Sequence, residues 1–148
     1  MIEYIFLFIA CLVLAKSGEH DYKTKYVKFS TPMLIILCGI CYMFLSGNNV
    51  FDTMGFVVTT AFLFAIPSFF SFGMGDFLIF LGLAFFIDTT NAYSLFLGIF
   101  LILWIIWTVW MFYKFKVSKK ELWKIEYPLV PVIAVAFYVW VVASLIVL

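Results

Sequence analysis

The chain has 148 residues, of which 67% are hydrophobic, 22% aromatic and 11% charged; an ordinary soluble domain has roughly 45 to 50% apolar and about 25% charged residues. That balance excludes a water-soluble globule. Nine lysines against eight carboxylates, no arginine and a net charge of +1 exclude nucleic acid as a partner, since affinity there rests on many phosphate contacts.

Lipid-facing backbone must satisfy its own hydrogen bonds. A helix does so within one segment, and about 20 apolar residues cross a hydrocarbon core about 30 Å thick. The length suits a single integral-membrane domain, residues 1–148. Its apolar runs predict an all-α, polytopic membrane protein with six transmembrane helices. The first runs from Ile2 to Ala15, the second from Met33 to Leu45 and the third from Met54 to Phe72. The fourth runs from Phe77 to Ile87, the fifth from Tyr93 to Phe112 and the sixth from Leu129 to Leu148. The third, fifth and sixth are long enough unaided; the others need flanking Ser, Thr, Tyr or Lys residues to complete a crossing. Glu3 precedes the first run and lysines follow it, the reverse of a cleaved secretory signal, so this helix is expected to be retained.

All the lysines fall in two clusters. Lys16, Lys23, Lys25 and Lys28 follow the first run; Lys114, Lys116, Lys119, Lys120 and Lys124 follow the fifth. Six crossings put both clusters on one side. The positive-inside rule makes that side the cytoplasm, with the lysine-free loops Ser46 to Thr53 and Asp88 to Asn91 outside. Glu3, Asp52 and Asp88 then lie outside, while Glu19, Asp21, Asp76, Glu121 and Glu126 lie at the cytoplasmic face. Asp88 sits about 18 Å from Asp76 along the fourth helix and cannot reach it.

Asp76 stands in Ser71-Phe72-Gly73-Met74-Gly75-Asp76, between two apolar runs. Ionisable groups at membrane depth are costly and are functional candidates by default. Gly73 and Gly75 allow a backbone turn or a close approach by another chain. The plainer role is a cap on the fourth helix. Asp21 lies in Ser17-Gly18-Glu19-His20-Asp21-Tyr22-Lys23, read as a polar loop, where an isolated Asp is a surface charge. His20 has no second histidine with which to form a metal site or relay. Cys38 and Cys41 spell Cys-x-x-Cys inside an apolar run, where core packing is expected, and with Cys11 they cannot make a four-thiolate zinc site. Trp104, Trp107 and Trp110 mark one helix face that packing explains. Gly82 and Gly98 are expected to allow close helix contact.

Taken together, the two acidic segments resemble the Gly-x-Gly-Asp membrane aspartyl proteases, and most closely the type IV prepilin peptidase and archaeal preflagellin peptidase family. Asp21 with Lys23 and Lys25 resembles the family's first catalytic aspartate, which follows the first helix. Gly73-Met74-Gly75-Asp76 matches the second element, near the start of the fourth helix. Glu126-Tyr127-Pro128-Leu129-Val130-Pro131 is similar to the proline-containing start of the family's last span. Leu78 stands where many bacterial members have Lys, and no Ile-Pro-Asn follows Asp21, which resembles the shorter archaeal-like branch. That branch lacks the cysteine-rich insertion of the larger enzymes, so no methyltransferase activity is expected.

The resemblance implies an aspartic endopeptidase in a prokaryotic plasma membrane, with its active site facing the cytoplasm. Its catalytic pair is Asp21 and Asp76, with motif support from Gly73 and Gly75; Lys23, Lys25, Pro128 and Pro131 are secondary candidates. It implies no cofactor and no metal. Its partners are the bilayer and a membrane-protein precursor with a basic leader and a hydrophobic N-terminal helix. One carboxylate would draw a proton from water while the other donates to the scissile carbonyl. Asp76, at a helix N-terminus, is expected to be the ionised base and Asp21 the acid. Two other classes remain open on the residues: a small ion- or proton-coupled carrier using Asp76, and a non-enzymatic assembly subunit in which Asp76 only caps.

Overall fold

The computed structural model describes residues 2–24, 27–70, 73–115 and 128–147. Among them are six α-helices and no strand: α1 (Glu3–Thr24), α2 (Ser30–Ser46), α3 (Val50–Phe70), α4 (Met74–Ala84), α5 (Thr90–Phe115) and α6 (Val130–Val147). The all-α expectation holds, and every predicted apolar run is matched by a helix. Thr90–Trp110 is 21 residues long and apolar enough to cross a membrane; Ser30–Ser46, Val50–Phe64, Met74–Ala84 and Val130–Ile146 are shorter apolar helices.

The largest departure concerns the stretch read as a polar loop after Ala15. It is the C-terminal part of α1, which continues to Thr24. Its polar side chains are compatible with a helix because they pair along it. Lys23 Nζ bonds Glu19 Oε1 one turn back at 2.5 Å, and Thr24 Oγ1 donates to the His20 carbonyl at 2.8 Å. Such i,i+4 pairs support a helix where hydrophobic periodicity stops. α4 also begins earlier than its apolar run, so Gly75 and Asp76 occupy its first turn.

α1 packs on α2 and α6, α4 packs on α2 and α3, and α5 packs on α6. Aromatic rings tie these pairs together. Phe80 of α4 stacks on Phe64 of α3 at 4.3 Å between centroids and meets Phe100 of α5 edge-on at 4.6 Å. Phe137 of α6 meets Phe86 at 5.6 Å and stacks on Trp140 at 5.4 Å. Edge-to-face and offset pairs of this kind add about 0.5 to 1.5 kcal/mol beyond area burial. Cys38 is buried in this core as a free thiol, as packing predicted.

Two glycines set how closely α2 and α4 cross. A Cβ on Gly39 would lie 2.7 Å from the Gly82 carbonyl oxygen, and one on Gly82 would lie 2.9 Å from Ile35 Cγ2 and 3.0 Å from the Ile36 nitrogen. Gly82 therefore makes the close contact its sequence position suggested. Gly98 does not: a Cβ there meets nothing within 4 Å.

Polar contacts sort the helix ends. Thr53 Oγ1 near the start of α3 donates to the Ile87 carbonyl just beyond α4 at 3.5 Å. The charges of Asp88 and Glu3 both act on Tyr42 in the last part of α2. The end of α1 and the starts of α2, α4 and α6 gather at the opposite end.

Candidate functional site

At that opposite end, α1 delivers Asp21 in its last turn, and the side chain is only 4% exposed. α4 delivers Asp76 in its first turn, 8% exposed. Both carboxylates, far apart in sequence, are thus buried among these helix ends. Both lie outside the apolar runs read as spans, which end at Ala15 and begin at Phe77.

Each carboxylate accepts from the backbone. The Val130 N–H, at the start of α6, donates to Asp21 Oδ2 at 3.1 Å. Asp21 is therefore an acceptor for a helix first turn, a place where Asp is favoured. The Gly73 N–H donates to Asp76 Oδ2 at 3.3 Å, one half of a capping box. Asp76 does cap α4, as the plainer sequence reading held, but with a single oxygen. Its Oδ1 is buried and has no hydrogen-bond partner among the described residues.

The electrostatics follow from this asymmetry. Burial away from water, then the negative charge of Asp21, push the Asp76 carboxyl up to about 7, against the lowering effect of the Gly73 N–H. Burial also raises Asp21, but the Val130 N–H, the nearby His20 and the Leu129 N–H all act to lower it. Both carboxyls are thus raised above the ordinary range, and Asp21 has more groups around it that favour its anion. The helix dipole does not by itself distinguish the two, because Asp21 also lies at a helix N-terminus, that of α6.

Glycine matters here for approach. Gly73 has ordinary extended backbone, φ −69° and ψ 152°, and a Cβ on it would lie 3.5 Å from Asp76 Oδ2, so a small side chain fits. A Cβ on Gly75 would lie 2.8 Å from Val27 Cβ. Gly75 is what lets Val27 pack over the start of α4. Gly75→Ala is expected to destabilise the protein by about 1 to 3 kcal/mol and Gly73→Ala by less, a ranking that thermal unfolding of the two variants checks.

Pro131 lies over Gly18 of α1, where a Cβ would stand 3.4 Å from Pro131 Cα. This contact seats the first turn of α6 beside Asp21. Pro128, just before that helix, is buried. Lys23 pairs with Glu19 in solvent rather than with either aspartate. Lys25 lies outside the described residues, as do Glu126 and Tyr127. Sequence reasoning missed the Val130 N–H, Val27 and Gly18. A glycine one turn before the acid on the same helix was the one available signal.

The chain matches no family profile, no curated protein and no solved structure.

Proposed function

We propose that this protein is a multi-pass membrane aspartic endopeptidase, resembling the prepilin and preflagellin peptidases, that cuts a precursor's N-terminal leader at the cytoplasmic membrane boundary. The observation that carries this is the meeting of Asp21 and Asp76: two buried carboxylates from different helices, electrostatically coupled, with one held protonated to about pH 7. An unequal pair of acids is what acid–base hydrolysis of a peptide requires.

Immersion of all six helices is supported by what faces outward. Phe62 is 76% exposed, Ile102 61%, Val109 62% and Ile146 78%. Side chains of this kind around an entire bundle belong in hydrocarbon rather than water. The lysine clusters support a cytoplasmic position for the dyad's end of the bundle, and the resemblance to the prepilin and preflagellin peptidases implies a prokaryotic cell.

In the proposed reaction, ionised Asp21 takes a proton from a water molecule as it attacks the scissile carbonyl. Asp76 gives its proton to the carbonyl oxygen. The Val130 N–H keeps Asp21 oriented and anionic; the unpartnered Asp76 Oδ1 supplies the position from which a proton is donated. Collapse of the tetrahedral species returns a proton to the leaving amine. The scheme requires neither a metal nor a methyl-transfer step, and the partner it calls for is a precursor whose basic leader precedes a hydrophobic helix.

The direction of the pKa shifts fixes a pH profile. Asp76 must be protonated, so kcat/KM falls about tenfold per unit as pH rises above about 7. Asp21 must be ionised, so the rate also falls at acid pH. Cleavage of a pilin-like precursor across a pH series, read as a size shift on gels, checks both limbs; a rate that does not fall on the alkaline side would sink the role of Asp76. A proton-coupled carrier is the second reading, favoured by the same near-neutral Asp76. It predicts that Asp21→Asn leaves transport intact and that no precursor is cut.

A further inference from the structure

The C-terminal half of α1 and the first turns of α2 line an open cleft of about 660 Å³. Lys16, His20, Lys23 and Lys28 line its outer part, while Val13 and Leu34 line it further toward the middle of the two helices. Glu19 is the one carboxylate in the lining, and Lys23 neutralises it. Lys16 and Lys28 form no ion pair among the described residues. Ser30 and Thr31 add hydroxyls, and no side chain caps the start of α2, so the positive end of that helix also faces this region. The lining is rich in donors and positive charge and grades along the helix axes into aliphatic surface.

We propose that this cleft binds the phosphate of an anionic phospholipid, with the acyl chains running over Val13 and Leu34. A free phosphate ion would use the lysines but have no use for the aliphatic half. A basic leader peptide would be repelled by two unpaired ammonium groups, which separates this cleft from the acidic site. The site would anchor the C-terminal part of α1, and with it Asp21, at the headgroup layer. The proposal rests on immersion of the bundle, not on proteolysis.

The test is native mass spectrometry of the full chain released from micelles doped with phosphatidylglycerol or phosphatidylcholine. A lysine near an anionic lipid surface contributes about fivefold in affinity, so two unpaired lysines give a preference for phosphatidylglycerol of about thirtyfold. Lys16→Gln with Lys28→Gln should abolish that preference, while Lys23→Gln, whose ammonium is already occupied by Glu19, should change it less than about twofold. All three positions are exposed, and unchanged helicity in the variants confirms their folding. Equal retention of both lipids, or displacement of phosphatidylglycerol by millimolar inorganic phosphate, overturns the assignment. Retention of neither lipid overturns immersion, and this proposal with it.

Discussion

Asp76→Asn is expected to lower leader cleavage by about 10² to 10⁴-fold, the usual contribution of a positioned acid or base, while leaving the protein at least as stable as before. The substitution keeps the size of the side chain and an oxygen to accept from the Gly73 N–H. What it removes is the cost of ionising a buried group. The carboxyl moves from its ordinary value of 3.8 to about 7 in the folded chain, so between those values the folded state binds more protons than the unfolded one. Stability therefore falls as pH rises through that window, by on the order of 4 kcal/mol in all, and is greatest below it. The Asn variant should lose this decline. Asp21→Asn should abolish cleavage as well, but it should destabilise somewhat, because an amide is a weaker acceptor for the Val130 N–H than an anion. Cleavage assays paired with unfolding curves at pH 5 and pH 8 check both results. Retained cleavage in either variant would end the dyad mechanism; loss of cleavage together with loss of folding in Asp76→Asn would reduce Asp76 to a cap.

Gly39→Val is the substitution expected to damage the fold most. Even the Cβ would fall 2.7 Å from both the Gly82 carbonyl oxygen and Phe85 Cβ, and 3.2 Å from the Phe86 ring. The nearest atoms are backbone or rigidly attached to it, so α2 and α4 must separate rather than a side chain swing aside. Overpacking of this kind costs about 1 to 3 kcal/mol, and more for a branched side chain. Because α4 carries Asp76 and packs chiefly on α2 and α3, the shift also moves one carboxyl against the other. A displacement of about 1 Å can cost about 10² in rate. Gly98→Ala, with open space at its Cβ, is the matched control. It should be neutral or stabilise by up to about 1 kcal/mol through helix propensity. Thermal unfolding separates the two, and equal melting temperatures would show that the α2–α4 crossing is not held by its glycines.

Much of this molecule is legible in its sequence, for a specific reason. Apolar runs of helical length have few alternatives, so the six helices follow from where polar residues interrupt them. Gly73-Met74-Gly75-Asp76 marks itself as unusual because an acid and two glycines between apolar runs must be explained. Asp21 does not mark itself in this way. Among Glu19, His20 and Lys23 it reads as one more solvated charge on a loop, and only its resemblance to a family pattern singled it out.

Local sequence determined the helices, their apolar surfaces and the candidate at Asp76. Tertiary structure alone decided that α1 runs on to Thr24, that Asp21 is buried beside the start of α6, and that Asp76 is raised by burial and by the charge of Asp21. The physical reason is that a carboxyl's ionisation depends on how much water it has lost and which N–H groups face it. Both quantities are set by helices distant in sequence, since the donor to Asp21 comes from residue 130 and the charge that raises Asp76 comes from residue 21.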